Sequence, residues 1–161
     1  MRDMITIRGL IVGVLALAAG TSTVAAHSVK TRLLEIVHPW VHETTARGGD
    51  AVVSMRIRNN GKRPDRLIGA TTPAATSIEI VASAPAAPAK PGATPPPSLV
   101  IPPGAIELGR SSAHLVMKGL QAPLTAYAMV PMTLRFERAG AVEIEVMVEE
   151  RSTDDPHAGH K

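Results

Sequence analysis

Apolar and polar residues alternate along much of this chain with a period of two. In AVVSMRIRN, Val53, Met55 and Ile57 alternate with Ser54, Arg56 and Arg58. In PMTLRFER, Met132, Leu134 and Phe136 alternate with Thr133, Arg135 and Glu137. In AVEIEVMVEE, Val142, Ile144, Val146 and Val148 alternate with Glu143, Glu145, Met147 and Glu149. Successive side chains on a strand point to opposite faces, so each run predicts a half-buried strand. Shorter runs predict further strands at Leu33–Val37, Arg66–Ala70, Ile78–Val81, Ala105–Leu108 and Ala113–Met117. No window of helical length carries an apolar stripe with caps. Asn60-Gly61 reads as a hairpin turn after the Val53 strand, and Ala139-Gly140 separates the last two strands. Seven or eight short strands with turns between them predict an all-β, antiparallel Greek-key barrel or sandwich.

Three segments fall outside this pattern. Residues 1–26 carry Arg2 and Arg8 ahead of an apolar run from Leu10 to Ala19, with small residues before His27. That is the layout of a secretory signal, and the run is too short for a comfortable membrane span. The expectation is an exported, periplasmic or secreted domain over residues 27–150, with no membrane span once the signal is cut. The second segment, residues 82–104, contains eight prolines. Proline has no ladder donor, so this stretch reads as an exposed, extended, partly polyproline connection. The third is the polar tail of residues 151–161, read as a flexible strap.

Composition narrows the chemistry. The chain has 161 residues, no cysteine and a formal net charge of +3. Removing the signal lowers that charge to about +2 by formal counting, too little to argue for nucleic acid or an anionic membrane. Without cysteine, stability must come from packing, and neither thiolate metal ligands nor a cysteine for lipid attachment are present. With one Trp, one Tyr and one Phe, the interior must be built from Val, Ile, Leu and Met.

Several stretches, in order, resemble the periplasmic PCu(A)C-type copper chaperones. They are HPW at His38–Trp40, the Gly48-Gly49 loop leading into VVSMRIRNNG, PDRLIGATTP from Pro64, and IEI at Ile78–Ile80. IPPGAIEL from Ile101, HLVMKGL from His114, and PLTAYAMVPMTLRFERAGAVEIEV complete the series. The resemblance implies a cupredoxin-like β-barrel that binds copper as Cu(I) through histidine and methionine, soft thioether ligands being suited to that ion. It further implies delivery to a copper-accepting oxidase subunit or another periplasmic copper protein, and no enzymatic activity. The family pattern is a His, a Met some ten residues on, and a later His-x-Met pair. Here His114 matches, while Val116 stands at the last Met and family spacing places the other two ligands at Val81 and Gly92. On a regular strand Met117 points away from His114 and is expected in the core. A one-residue bulge would re-aim it, although no glycine before Gly119 marks one.

The tail offers replacements. His157 and His160, beside Asp154 and Asp155, form a short histidine-bearing tract able to bind Cu(II). A site of His114, His157 and His160 would favour Cu(II) over Cu(I). His27, as a mature first residue, could chelate through amine and imidazole, a basis for a copper enzyme only with a further ligand. His38 reads as scaffold and His42 as solvated. Ser112 and His114 do not make a nucleophile and base, since no orienting carboxylate or oxyanion loop accompanies them. Glu143, Glu145 and Glu149 read as a solvated strand face. The alternative to copper handling is a metal-free barrel that presents its Pro-rich loop to a protein partner.

Overall fold

The structure, a computed structural model, describes residues 28–82 and 98–151. These form ten strands: β1 Ser28–Lys30, β2 Leu34–His42, β3 Ala51–Asn59, β4 Asp65–Thr71 and β5 Ala75–Val81, then β6 Leu99–Ile101, β7 Gly104–Leu108, β8 His114–Leu120, β9 Met129–Phe136 and β10 Gly140–Glu149. They make one curved sheet in the order β5-β8-β3-β2-β10-β9-β4-β6, with β1 beside β2 and β7 beside β3. Among the described residues there is no helix. Every pairing is antiparallel except β2 with β10, which run parallel.

Alternation fixes which side of this sheet is the interior. Leu34, Ile36, Val53, Ile57, Leu67, Leu115, Met117, Leu134, Val146 and Val148 are completely buried, and Phe136 is nearly so. They pack as one aliphatic core, as the scarcity of aromatic residues requires. Burial of each large aliphatic side chain contributes about 1.5–3 kcal/mol, so the inward rows supply most of the driving force.

The alternation shifts at Leu67–Gly69 in β4, where the register against β9 slips, and, with more consequence, inside β2. Leu34 and Ile36 point inward, but so does Val41, and the register against β3 slips by one residue between Val37 and Trp40. An extra residue here is a β-bulge, which flips parity for everything after it. His38, at φ 47°, carries the distortion. The bulge turns Trp40 and His42 onto the outer face and lets β2 leave β1 and continue beside β10.

Two turns behave differently from their sequence signals. Ala139-Gly140 does close the β9–β10 hairpin, with Gly140 at φ 79°. Asn60-Gly61 does not make a hairpin, because β4 pairs with β6 and β9 rather than with β3. The deciding residue is the preceding Asn59, which is buried. Its Nδ2 donates to the carbonyls of Arg63 and Ile101 at 2.9 and 3.0 Å, and its Oδ1 accepts from Gly61 N at 2.9 Å. Those bonds direct the chain across the barrel. The Pro-rich segment also ends earlier than expected, since Leu99–Ile101 pairs with β4. Val100 is half-exposed there, as suits an edge strand.

Candidate metal face and its neighbouring histidines

β7 and β8 lie end to end along the same edge of β3: Leu108 pairs with Met55, and Leu115 with Val53. The residues between them form a tight turn, in which Ser112 N donates to Gly109 O and Gly109 N to Ala113 O. Ser112 Oγ lies within hydrogen-bonding reach of the Glu107 carbonyl at 3.1 Å. His114 is the first residue of β8 after this turn, half-buried on the outer face.

Its ring is fixed by one contact, Nδ1 to the Ser112 carbonyl at 2.7 Å. A carbonyl can only accept, so the proton sits on Nδ1 and the Nε2 lone pair is left free. That arrangement, with one nitrogen donating to a backbone carbonyl, is the usual state of a metal-ligating imidazole. The Ser112 hydroxyl takes no part, in keeping with the absence of a nucleophile–base pair.

The cross-strand register identifies the neighbours. His114 pairs directly with Val81, and Val116 with Glu79. Directly paired residues share a face with Cβ atoms about 4.5–5.5 Å apart. The two positions at which the family spacing expects ligands, 81 and 116, therefore do surround His114, and both are valine. Met117 pairs inward with Ile78 and is completely buried, so it is core and no bulge re-aims it. Farther along the same face Lys118 Nζ lies 2.6 Å from Asp50 Oδ2 and 3.9 Å from Glu79 Oε2. The hydrogen bond from Lys118 holds the Asp50 carboxyl below its ordinary value, and Asp50 in turn raises the Lys118 ammonium.

Two strands over, the bulge presents the other histidines. His38 carries the bulge and its Nε2 lies 3.0 Å from Glu149 Oε1, so Glu149 is a half-buried partner rather than a merely solvated residue. His42 is not simply solvated, because its Nδ1 is buried without any hydrogen-bond partner and its ring meets Trp40 edge-on, centroids 4.8 Å apart at 75°. The parity switch at His38 accounts for both, and no sequence signal marks it beyond the proline at 39.

Among the described residues no three His, Asp or Glu side chains stand close enough together to hold a metal ion. His157, His160, His27 and Gly92 lie outside the described residues. Among the described residues no helix is long and apolar enough to cross a membrane.

The LpqE-like lipoprotein family model matches residues 34–148 of this chain. No curated protein matches it. Among solved structures, the apo PCuAC domain from PmoF1 is 26% identical with a TM-score of 0.66, over 78% of this chain and 100% of that one. The copper-bound PCuAC domain from PmoF2 is 24% identical at a TM-score of 0.65, over 78% of this chain and 99% of that one. The Cu(I) form of DR1885 from Deinococcus radiodurans is 23% identical at 0.53, covering 83% of this chain and 85% of that one. The cupredoxin-like β-barrel expected from the sequence is thus the fold observed.

Proposed function

Since the chain belongs to the LpqE-like family and folds as the PCuAC domains do, we propose that it is an exported copper-binding protein with an altered metal face. The observation that carries this reading is the His114 ring, whose Nδ1 is bonded to the Ser112 carbonyl so that Nε2 is presented as a ligand. With glycine at 92 and valine at 116 both thioethers suited to Cu(I) are missing, and valine at 81 removes the first imidazole, so further donors must come from elsewhere. His157 and His160 on the tail are the candidates, and an all-nitrogen site would shift preference towards Cu(II). The protein would carry or buffer copper in the periplasm, an oxidase subunit being one acceptor, and catalyse nothing. In this reading residues 1–26 are a cleaved signal, residues 27–150 the copper domain and residues 151–161 a ligand strap.

The test is a competition titration of the chain with Cu(I) under anaerobic conditions and Cu(II) in air. His114→Ala and a chain ending at Thr153 are measured beside it. Stoichiometric Cu(II) binding that both variants weaken at least tenfold supports a site joining barrel and tail. Binding no tighter than that of a free two-histidine peptide, and indifferent to His114, overturns it.

One observation favours a second reading: the two valines beside His114 make the face less polar than a metal site needs. A metal-free barrel would instead present its Pro-rich segment to a protein partner. Replacing residues 83–97, which spares β6, by a Gly/Ser linker would abolish partner capture in that case and leave copper binding unchanged in the first.

A further inference from the structure

Beside the bulge, on the outer face of β2, β3 and β7, lies a cleft of about 630 Å³. We propose that it binds a small organic carboxylate.

The groups lining it are accounted for one by one. Glu107 is engaged by the Arg56 guanidinium, and His38 by Glu149. With these two carboxylates committed, the remaining polar lining is the Ser54 and Ser111 hydroxyls and a set of N–H donors. Arg110 lines the cleft and is exposed, and no described carboxylate pairs with it. His42 is a donor by elimination. A proton on its buried, unpartnered Nδ1 would be unsatisfied, so the proton resides on Nε2. Trp40 adds an indole N–H, which can only donate. A planar guanidinium flanked by N–H donors matches a carboxylate.

The walls specify the rest of the ligand. Val37, Val52 and Leu108 give the cleft an apolar lining, and its volume falls in the range of about 300–1,000 Å³ that holds small organic molecules. An inorganic oxyanion would satisfy the donors and leave that lining uncovered. Among the described residues no three His, Asp or Glu side chains gather to hold a metal ion there.

Trp40 is the only tryptophan, so its fluorescence reports directly on the cleft. The full chain is titrated with benzoate, hexanoate and inorganic phosphate, with excitation beyond benzoate absorption. Indole N–H shifts are followed by NMR. A saturable response to the organic carboxylates, weakened about tenfold or more by Arg110→Gln and unaffected by Lys62→Gln, is expected, since charge-assisted bonds are worth roughly 1.5–3 kcal/mol. No saturable response to either carboxylate, or one indifferent to Arg110→Gln, overturns the proposal. Phosphate binding as tight as theirs overturns the organic-ligand assignment.

Discussion

Asp65→Asn isolates how strongly one carboxylate ties the β9–β10 hairpin to the rest of the barrel. Asp65 opens β4 and is only 5% exposed. Its Oδ1 accepts from Arg66 N at 2.7 Å and Arg138 N at 2.9 Å, and its Oδ2 accepts from Ala139 N at 2.9 Å. Asparagine keeps the shape but has one acceptor oxygen. With that oxygen serving Arg66 and Arg138, its amide nitrogen would face the Ala139 N–H, donor against donor. The variant loses one charge-assisted bond and leaves a partly buried N–H unsatisfied, together costing about 2–3 kcal/mol. At a urea sensitivity of roughly 1–3 kcal/mol per molar, the unfolding midpoint should fall by about 1–2 M with an unchanged slope. Asp50→Asn serves as control, because its fully exposed ion pair with Lys118 is screened by solvent and contributes little. An Asp65→Asn midpoint within about 0.3 M of wild type would refute the assignment of Asp65 as the hairpin's anchor.

Other consequences can be checked with the same protein. Restoring donors by Val81→His together with Val116→Met should raise Cu(I) affinity at least tenfold, about 1.4 kcal/mol, in competition with a chromophoric chelator; no gain would mean that the β5–β8 face cannot gather ligands. Gly119→Ala should destabilise by about 1–2 kcal/mol in thermal unfolding, because Gly119 sits at φ 63° and an added Cβ would lie 2.9 Å from Thr76 Oγ1. The Asp50–Lys118 pair sets a pH window. Its depressed carboxyl contributes above the unfolded value of 3.8 and loses that contribution as pH falls through the folded one, while its raised ammonium contributes below 10.5 and loses it as pH rises. The stability difference between wild type and Lys118→Gln should therefore stay level from about pH 5 to pH 9 and shrink on both sides; a slope inside that window would contradict the pairing.

How far the sequence could be read follows from which interactions are local. The long alternating runs name their strands because period two is a property of neighbouring residues, and β3, β9 and β10 lie where Val53, Met132 and Val142 place them. β1 and β6 are three residues each, too short to show a period, and exist because β2 and β4 offer them edges. Asn60-Gly61 carries a local hairpin signal yet makes no hairpin, because its course is set by Asn59 reaching Ile101, a partner 42 positions away. The bulge at His38 was invisible for the same reason, and with it went the outward placement of Trp40 and His42.

The three described histidines differ in what each ring nitrogen touches. Their sequence settings rank them only by motif, whereas their chemistry depends on what the second ring nitrogen touches. His114 donates from Nδ1 to the Ser112 carbonyl and keeps a free lone pair on Nε2; His38 has its Nε2 held by a carboxylate; His42 buries an Nδ1 without a partner. Strand parity then explains how such a face can change while the barrel persists. On β8 the inward residues Leu115 and Met117 are completely buried, and Ile80 opposite them is 6% exposed, so their replacement opens cavities costing about 2–5 kcal/mol each. Val81 and Val116 lie on the other side of the same strands, in contact with the core only through the backbone. Exchange of a ligand for valine there leaves the inward row untouched. The core and the outer face around His114 are therefore under separate constraints, one residue apart along the chain.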